Sequence, residues 1–407
     1  MQNTKVVATN VLTGILDHTV TDARGNYTFP NLAVGVYTIN FSAPSFQSLD
    51  VTKVEIHVAT TLREDATLFP GGVTTEVVVG ATAPLLQAET SDIGQLVESS
   101  QITEIPLNGR DVYSLVTLTA GAQSNVAASG VATGATGSAN TTTRPAISGG
   151  RAGFTVFRIS GIEVNEQNLA GAFLVPSVDA VQEFRAVTQI QSASESGTSG
   201  VNVALKSGTN KFHGSAYEFL RNNVLDAQPY FQVTLPPTPG FKNIGNQLRY
   251  NQFGGAVGGP IWKNRTFFFV SIQATRQRTL SQVREVLPTS AELSGDFSDV
   301  DQLTGVSFAP VYDPTTKAPF PGNIIPQSRF SSFASKLLPI AFQSANCSAC
   351  LTGGLGFDYV GNQPGATNDT QYLGEIEHHI GAKDTLAASR LYEPFVQPFI
   401  PDRKSVV

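Results

Sequence analysis

A chain of 407 residues has room for two or three domains at about 100–200 residues each. Only 14% of its residues are Asp, Glu, Lys or Arg, against an ordinary share of about 25%, while 25 Phe and 10 Tyr supply aromatic surface, a profile that suits β-structure with one neutral polar face and one apolar face. The net charge of −6 excludes nucleic-acid binding through phosphate neutralisation, so no nucleic-acid partner is expected.

No run of 18 apolar residues occurs, which excludes an ordinary transmembrane helix and is silent about membrane strands of about 9–11 residues. The first residues, MQNTKVVATNVLTG, have neither a basic stretch nor an apolar one, so no signal peptide is visible.

From Lys5 to about Phe69, short alternating runs broken by turn signals predict a small β-sandwich over residues 1–70. Asp22, Gly25 and Asn26 supply a turn after which Tyr27 and Phe29 are expected to re-enter a strand, with Leu32, Val34, Val36 and Ile39 continuing the apolar supply. Five or six strands are countable where a sandwich takes about seven, so an N-terminal edge strand is expected to be missing. Residues 71–88 then read as a linker, opened by Pro70, Gly71 and Gly72 and carrying the exposed strand-former Glu76 to Val79. An extended segment in such a place is suited to adding itself to another sheet's edge; an ordinary linker with a β-branched cluster is the alternative.

Residues 89–210 mix strands and helical turns and predict a compact α+β domain, interrupted by a Gly/Ala/Ser/Thr-rich loop from Gly121 to Thr143. Val178, Val181 and Phe184 fit one helix or turn face, and Val201, Val203 and Leu205 alternate as a strand. From 211 to 407 the pattern becomes long two-residue alternation. Phe268, Val270, Ile272 and Ala274 share one face, with Ser271, Gln273 and Thr275 on the other, as in a barrel wall that is apolar toward lipid and polar within. QYLGEIEHHIGAKDTLAASRLYE predicts a hairpin turning at Gly381 to Asp384, and the stretches Pro229 to Gln247 and Leu287 to Gly365 are expected to be extracellular loops.

TVTDARGNYTFPNLAVGVYTINFSAPSF resembles the carboxypeptidase-regulatory-like domain, a transthyretin-like sandwich grouped with carbohydrate-binding-like folds. QITEIPLNGRDVYSLVTLTAG, RISGIEVNE, SVDAVQEFRAVT, GVNVALKSGTNKFHGSAYEFLRNN and RYNQFGGAVGGPIWKNRTFFFVSIQATRQR, in that order, resemble the plug and first barrel strands of Oar-like TonB-dependent receptors. The resemblance covers most of the chain. It implies a mainly β architecture of three parts: the sandwich, an α+β plug, and the first antiparallel strands of an outer-membrane β-barrel. It also implies a TonB-type periplasmic energy transducer and outer-membrane lipid as partners, the N-terminal domains lying on the periplasmic side. An unidentified small ligand or glycan is then the cargo.

Within that resemblance, Thr75, Glu76, Val77, Val78 and Val79 are similar to the TonB box gripped by the transducer, and Arg110 and Arg151 are candidates for charge-assisted plug-to-wall contacts, with solvated surface cations as the alternative. The chain departs from the family at Ser160-Gly161, where relatives carry Asp-Gly, and at Gly197 to Gly200, shorter than the usual turn. A barrel of about 22 strands needs a plugged lumen and several hundred residues, so the chain is expected to be a receptor's front part, lacking its signal peptide and most of its barrel. The competing expectation is a surface adhesion or carbohydrate-binding protein with the barrel as anchor.

Catalytic signatures are absent from the sequence: His18, His57, His213, His378 and His379 lack metal-ligand spacing, and there is no GxSxG, P-loop or GxGxxG. No enzyme activity and no cofactor are expected. Cys347 and Cys350 form a CxxC without the βαβ context of a redox pair or the further ligands of a zinc site, leaving a small-loop disulfide in an oxidising exterior as the expectation. Glu375 and Glu377 share one strand face, where lining a wet barrel interior is favoured over acid/base work.

Overall fold

A computed structural model describes residues 1–71, 76–80, 92–124, 145–150, 154–165, 171–189, 199–227, 247–301, 304–341, 345–352, 354–381 and 384–396. The chain divides into two compact units, Met1–Glu218 with Gln252–Ala274 and Asp369–Phe395, and Phe219–Asn251 with Thr275–Asn368 and Val396–Val407.

The first unit opens with one five-stranded sheet made by β1 (Lys5–Asn10), β2 (Leu16–Val20), β3 (Gly35–Ser42), β4 (Ser48–Ile56) and β5 (Glu76–Gly80), in the order β2-β1-β3-β4-β5. Alternation buries Val6 and Ala8 of β1 and Tyr37, Ile39 and Phe41 of β3 on one face. In β4 the buried residues are Leu49, Val51 and then Val54. The break in period has a local cause: the β3–β4 register shifts between Tyr37 and Ile39, opposite Lys53 at φ 60, and a bulge of this kind turns one extra residue out of the ladder.

The layer over this core is not a second ladder. Tyr27, Phe29, Leu32, Leu62, Ala66 and Leu68 pack against it from extended chain without strand pairing, which corrects the expectation that Tyr27 and Phe29 re-enter a strand. The Asp22 carboxylate accepts from the Arg24 and Asn26 N–H groups at 2.8 Å each, closing the turn as expected. Beyond it the Tyr27 ring stands edge-on to Phe41 at 5.5 Å, and its hydroxyl donates to the Glu64 carbonyl at 2.8 Å. Ring packing and that hydroxyl hold the segment, and Pro30 has no N–H to give a ladder.

The next domain contains β6 (Ile93–Glu98), α1 (Ser99–Glu104), β7 (Ala122–Ser124), β8 (Pro145–Ile147), β9 (Thr155–Ile159), β10 (Ile162–Glu163), β11 (Val181–Gln189) and β12 (Ser199–Leu205). Its sheet runs β10-β9-β12-β11-β6, with β12 and β9 parallel, and β7 pairs with β8 apart from it. Val178–Ala180 is a single 3-10 turn that delivers the chain into β11, so Val178 belongs to a turn while Val181 and Phe184 belong to a strand. Between β9 and β10 the chain reverses through Ser160 at φ 47 and Gly161 at φ 83, the left-handed pair that a two-residue hairpin requires; Ser160 takes the conformation that Asn or Asp more often occupies. The core gathers Tyr113, Leu115, Phe157, Phe184 and Val201, all buried, with the Tyr113 and Phe157 rings edge to face at 4.7 Å.

The remaining strands are β13 (His213–Asn222), β14 (Gln247–Trp262), β15 (Thr266–Glu285), β16 (Tyr359–Ile380), β17 (Asp384–Tyr392) and β18 (Phe395–Val396). They lie in the order β13-β14-β15-β16-β17, with β18 also on β16; among the described residues this sheet does not close. β16 and β17 form an antiparallel hairpin in register from Tyr372 with Tyr392 to Ile380 with Asp384. The alternation is as expected along β15, where Phe267, Phe269 and Ser271 are buried and Val270 and Ile272 exposed; Ala274, expected outward with them, is buried.

In the second unit, the stretch expected as one irregular loop from Leu287 to Gly365 holds, among the described residues, the α-helices α2 (Ser290–Leu293), α3 (Ser332–Ala341) and α4 (Ser348–Thr352), and β16 begins at Tyr359. α2 is held by a reciprocal capping box, Glu292 N–H to Thr289 Oγ1 at 3.1 Å and Thr289 N–H to Glu292 Oε2 at 2.7 Å. A disulfide joins Cys347 to Cys350 across a Cα separation of 5.2 Å, and both cysteines are buried with Phe357 and Val360. Two N–H groups, Asn346 and Cys347, donate to the Asp358 carbonyl at 3.1 and 2.7 Å, and the Asp358 carboxylate accepts from Leu287 N–H at 2.8 Å. These bonds fasten the two ends of the long connection together.

Candidate functional site: the plug, its wall and the segment upstream

The sequence PLNGR turns sharply, with Gly109 at φ 74 and Arg110 at φ 53, and aims Arg110 at β13. Its Nη2 lies 2.5 Å from Asp179 Oδ2, and its guanidinium stands 4.4 Å from the centre of the Tyr217 ring on β13. The other oxygen of Asp179 accepts from Ser215 Oγ at 3.1 Å, also on β13, and the Tyr217 hydroxyl donates to Gln273 Oε1 on β15 at 3.0 Å. Arg110 and Asp179 side chains are only 13% and 12% exposed, a setting in which a charge-assisted bond is stronger than at an open surface. Nearby, burial pushes the Lys206 ammonium below its ordinary range, with Asp179 acting in the opposite direction.

A second bridge was not foreseen from the sequence. Gln371 of β16 accepts from Ser177 N–H at 2.8 Å and donates to the Val175 carbonyl at 2.7 Å, so one side chain stands in for the edge of a strand. The Ser177 and Ser271 hydroxyls meet at 3.2 Å. Phe269 of β15 and Leu373 of β16 complete the same buried cluster as Phe157 and Phe184, making the domain's core continuous with the inner side of these strands. Two-residue alternation could have placed Gln371 inward; nothing in the sequence names its partner almost 200 residues earlier.

The segment similar to a TonB box lies on the front sheet. β5 runs parallel to β4, Ser48 beside Glu76 through Thr52 beside Gly80. Thr75 and Arg151 lie outside the described residues, as do residues 125–143 of the Gly/Ala/Ser/Thr-rich stretch, residues 229–246 of the expected extracellular loop and residues 397–407. Contacts at two places tie the front domain down. The Glu183 carboxylate on β11 meets His57 Nδ1 at 3.0 Å and accepts from Val58 N–H at 2.6 Å, and Arg185 donates to the Ala59 carbonyl. The Glu183 contact raises the His57 imidazole above its ordinary value, more than burial lowers it. Asn210 donates through Nδ2 to the Thr13 carbonyl and to Asn264 Oδ1, both at 2.6 Å, and accepts from Asn264 N–H at 2.8 Å.

Among the described residues no group of His, Cys, Asp and Glu is placed to hold a metal ion, and no helix is long and apolar enough to cross a membrane. Tyr37 is buried in the front core and Tyr27 and Phe29 pack onto it, so these rings do not form an exposed platform for sugar.

The long strands expose apolar residues on one side and share a buried core with an α+β domain on the other, the arrangement expected of an outer-membrane β-barrel wall beside a plug. Residues 204–400 match the outer membrane beta barrel domain family and residues 1–69 the carboxypeptidase regulatory-like domain family. More particularly, the chain is similar to the TonB-dependent transporter Oar of Myxococcus xanthus, 24% identical over 369 residues, 85% of this chain and 32% of that protein. Two solved structures are also similar. A mutant of the ferric enterobactin receptor PfeA of Pseudomonas aeruginosa, in complex with enterobactin, has a TM-score of 0.36 and 11% identity over 75% of this chain and 33% of its own. The siderophore receptor PirA of Acinetobacter baumannii has a TM-score of 0.32 and 13% identity over 74% of this chain and 39% of its own. The chain thus spans about a third of the length of the relatives it matches.

Proposed function

We propose that this chain is part of an outer-membrane receptor that takes up a small ligand or glycan using energy delivered by a TonB-type periplasmic transducer. Residues 1–70 are the front domain, 71–88 the linker with the transducer-binding segment, 89–210 the plug and 211–407 the start of the barrel. The observation that carries the reading is the continuity of the plug core with Phe269 and Leu373 on the inner side of the wall. Outward on the same strands, Val270, Ile272 and Ile376 are exposed, as lipid contact requires, which supports an outer-membrane location; in this reading the front domain lies on the periplasmic side. The homology to a transporter supports transport over catalysis.

In this reading the plug closes the lumen and Arg110, with Asp179 and Gln371, pins it to the wall. Uptake requires those contacts to part when the transducer pulls on Thr75 to Val79. Deleting Thr75 to Ala81 from the receptor tests the proposal: loss of uptake with surface binding of the ligand retained is expected, and unchanged uptake overturns it in favour of a barrel-anchored adhesin.

A further inference from the structure

β5 is an edge strand without the usual guards. Its inner side is laddered to β4, and the sheet order ends with it, so among the described residues no strand covers its outer side. Soluble sheets protect such edges with Lys, Pro or bulges, because a row of unpaired main-chain groups invites another strand. β5 reads Glu-Val-Val-Val-Gly, with no Lys, Arg or Pro and an unbroken register. At the opposite edge of the sheet, β2 is Leu-Asp-His-Thr-Val, carrying polar and charged side chains.

The slot that holds β5 is built by its own domain. Upstream, Gln47 N–H donates to the Phe69 carbonyl at 2.9 Å and Gly71 N–H to the Ser45 carbonyl at 3.2 Å, while Phe46 and Pro70 form an antiparallel bridge. The chain is thus clamped beside the start of β4 before β5 begins. Downstream, the register stops at Thr52, where Lys53 turns to φ 60. β4 gives its other edge to β3, so β5 takes the one edge β4 has left.

We propose that the front domain presents Glu76–Gly80 to the transducer as a ready-formed strand, and that an extended strand of the transducer adds to the outer edge of β5 as a sixth strand of this sheet. The inference rests on the reading of the segment as the transducer's grip and deepens it by assigning the front domain a part in the grip. A segment already extended on β4 does not have to be ordered on binding, and this is where preorganisation favours affinity; the partner is recognised by main-chain N–H and C=O groups, so an extended strand of many sequences fits.

The experiment uses the whole chain and the C-terminal domain of the TonB-type protein of the same cell. Ser48→Cys with Glu76→Cys, a register pair, is oxidised to lock β5 onto β4, and binding is compared with the reduced form and with the wild type under both conditions. The locked chain is expected to bind within about threefold of the wild type, and Val78→Pro, which removes a main-chain donor, to lose about tenfold or more while Val78→Thr keeps binding. Failure of the cysteine pair to cross-link overturns the docking of β5. A locked chain that no longer binds, when its reduced form does, overturns presentation on β4 while leaving the segment as the grip. Absence of binding by every form, with the cross-link made, overturns the grip reading and the inference with it.

Discussion

Ser177 and Gln371 lie 194 positions apart in the chain, yet the backbone N–H of the first donates to the side-chain carbonyl of the second at 2.8 Å. The Gln371 side-chain Nε2 in turn donates to the carbonyl of Val175 at 2.7 Å, and Gln371 is buried. A β16 side chain here satisfies two main-chain groups, at Val175 and Ser177, that lie outside every described strand.

Gln371→Leu, close in volume, removes both partners and leaves an N–H and a carbonyl buried and unpaired, at about 1–3 kcal/mol each. Amide exchange at Ser177 is expected to accelerate while exchange within β11 and β12 stays slow. Unchanged protection of Ser177 would show that the bridge does not hold the plug.

Arg110→Ala is expected to loosen the plug where it meets β13, by about 2 kcal/mol for a charge-assisted bond. Arg110→Lys keeps the charge but not the planar group over Tyr217, and should recover only part of the loss. In the intact receptor, raised ligand-independent permeability to a small antibiotic reports the loosening; wild-type permeability in Arg110→Ala contradicts a pinning role.

The His57 to Glu183 contact gives the docking of the front domain a pH dependence of defined sign. The imidazole is raised in the folded state, by Glu183 first, with Glu55 and Glu98 adding to it. Its contribution is therefore complete below the unfolded value of about 6.5 and lost as pH rises through the elevated folded value. The denaturant midpoint of the chain is expected to fall between about pH 6 and pH 9, and Glu183→Gln should flatten that slope. A slope unaltered in Glu183→Gln would assign the dependence to another group.

Cys347 and Cys350 close a very short loop, for which chain entropy gives about 2 kcal/mol, less than for a long one. Cys347→Ser with Cys350→Ser is expected to speed exchange at Cys347 and Leu287, whose amides bond to Asp358, and to leave the plug untouched. Loss of protection in β11 would show that the bridge has more than local reach.

Much of the fold is readable from the sequence because burial here follows a period of two: Phe267, Phe269 and Ser271 inward, Val270 and Ile272 outward. The hairpin from Tyr372 to Tyr392 is fixed by the same periodicity and one turn. Tyr27 and Phe29 misled because aromatic alternation after a tight turn looks the same whether the rings pack over a sheet or within it. The capping box of Thr289 and Glu292 carries a sequence signature and was readable in principle. The Arg110 partners, Asp179 and Tyr217, were not, since spacing along a chain says nothing about which distant carboxylate or ring a guanidinium meets. The pairing of β5 with β4 was hidden for the same reason: a valine cluster announces a strand but not its neighbour.

Asn210 bonds at once to Thr13 in the front domain and to Asn264 in the turn between β14 and β15. The chain leaving the plug for the barrel is therefore stapled, at a single amide, to both of its neighbours. Under the proposed function, a pull on the linker would reach the plug through this junction, and the front domain would then serve as a mechanical abutment, fixing the end of the lever that stays still.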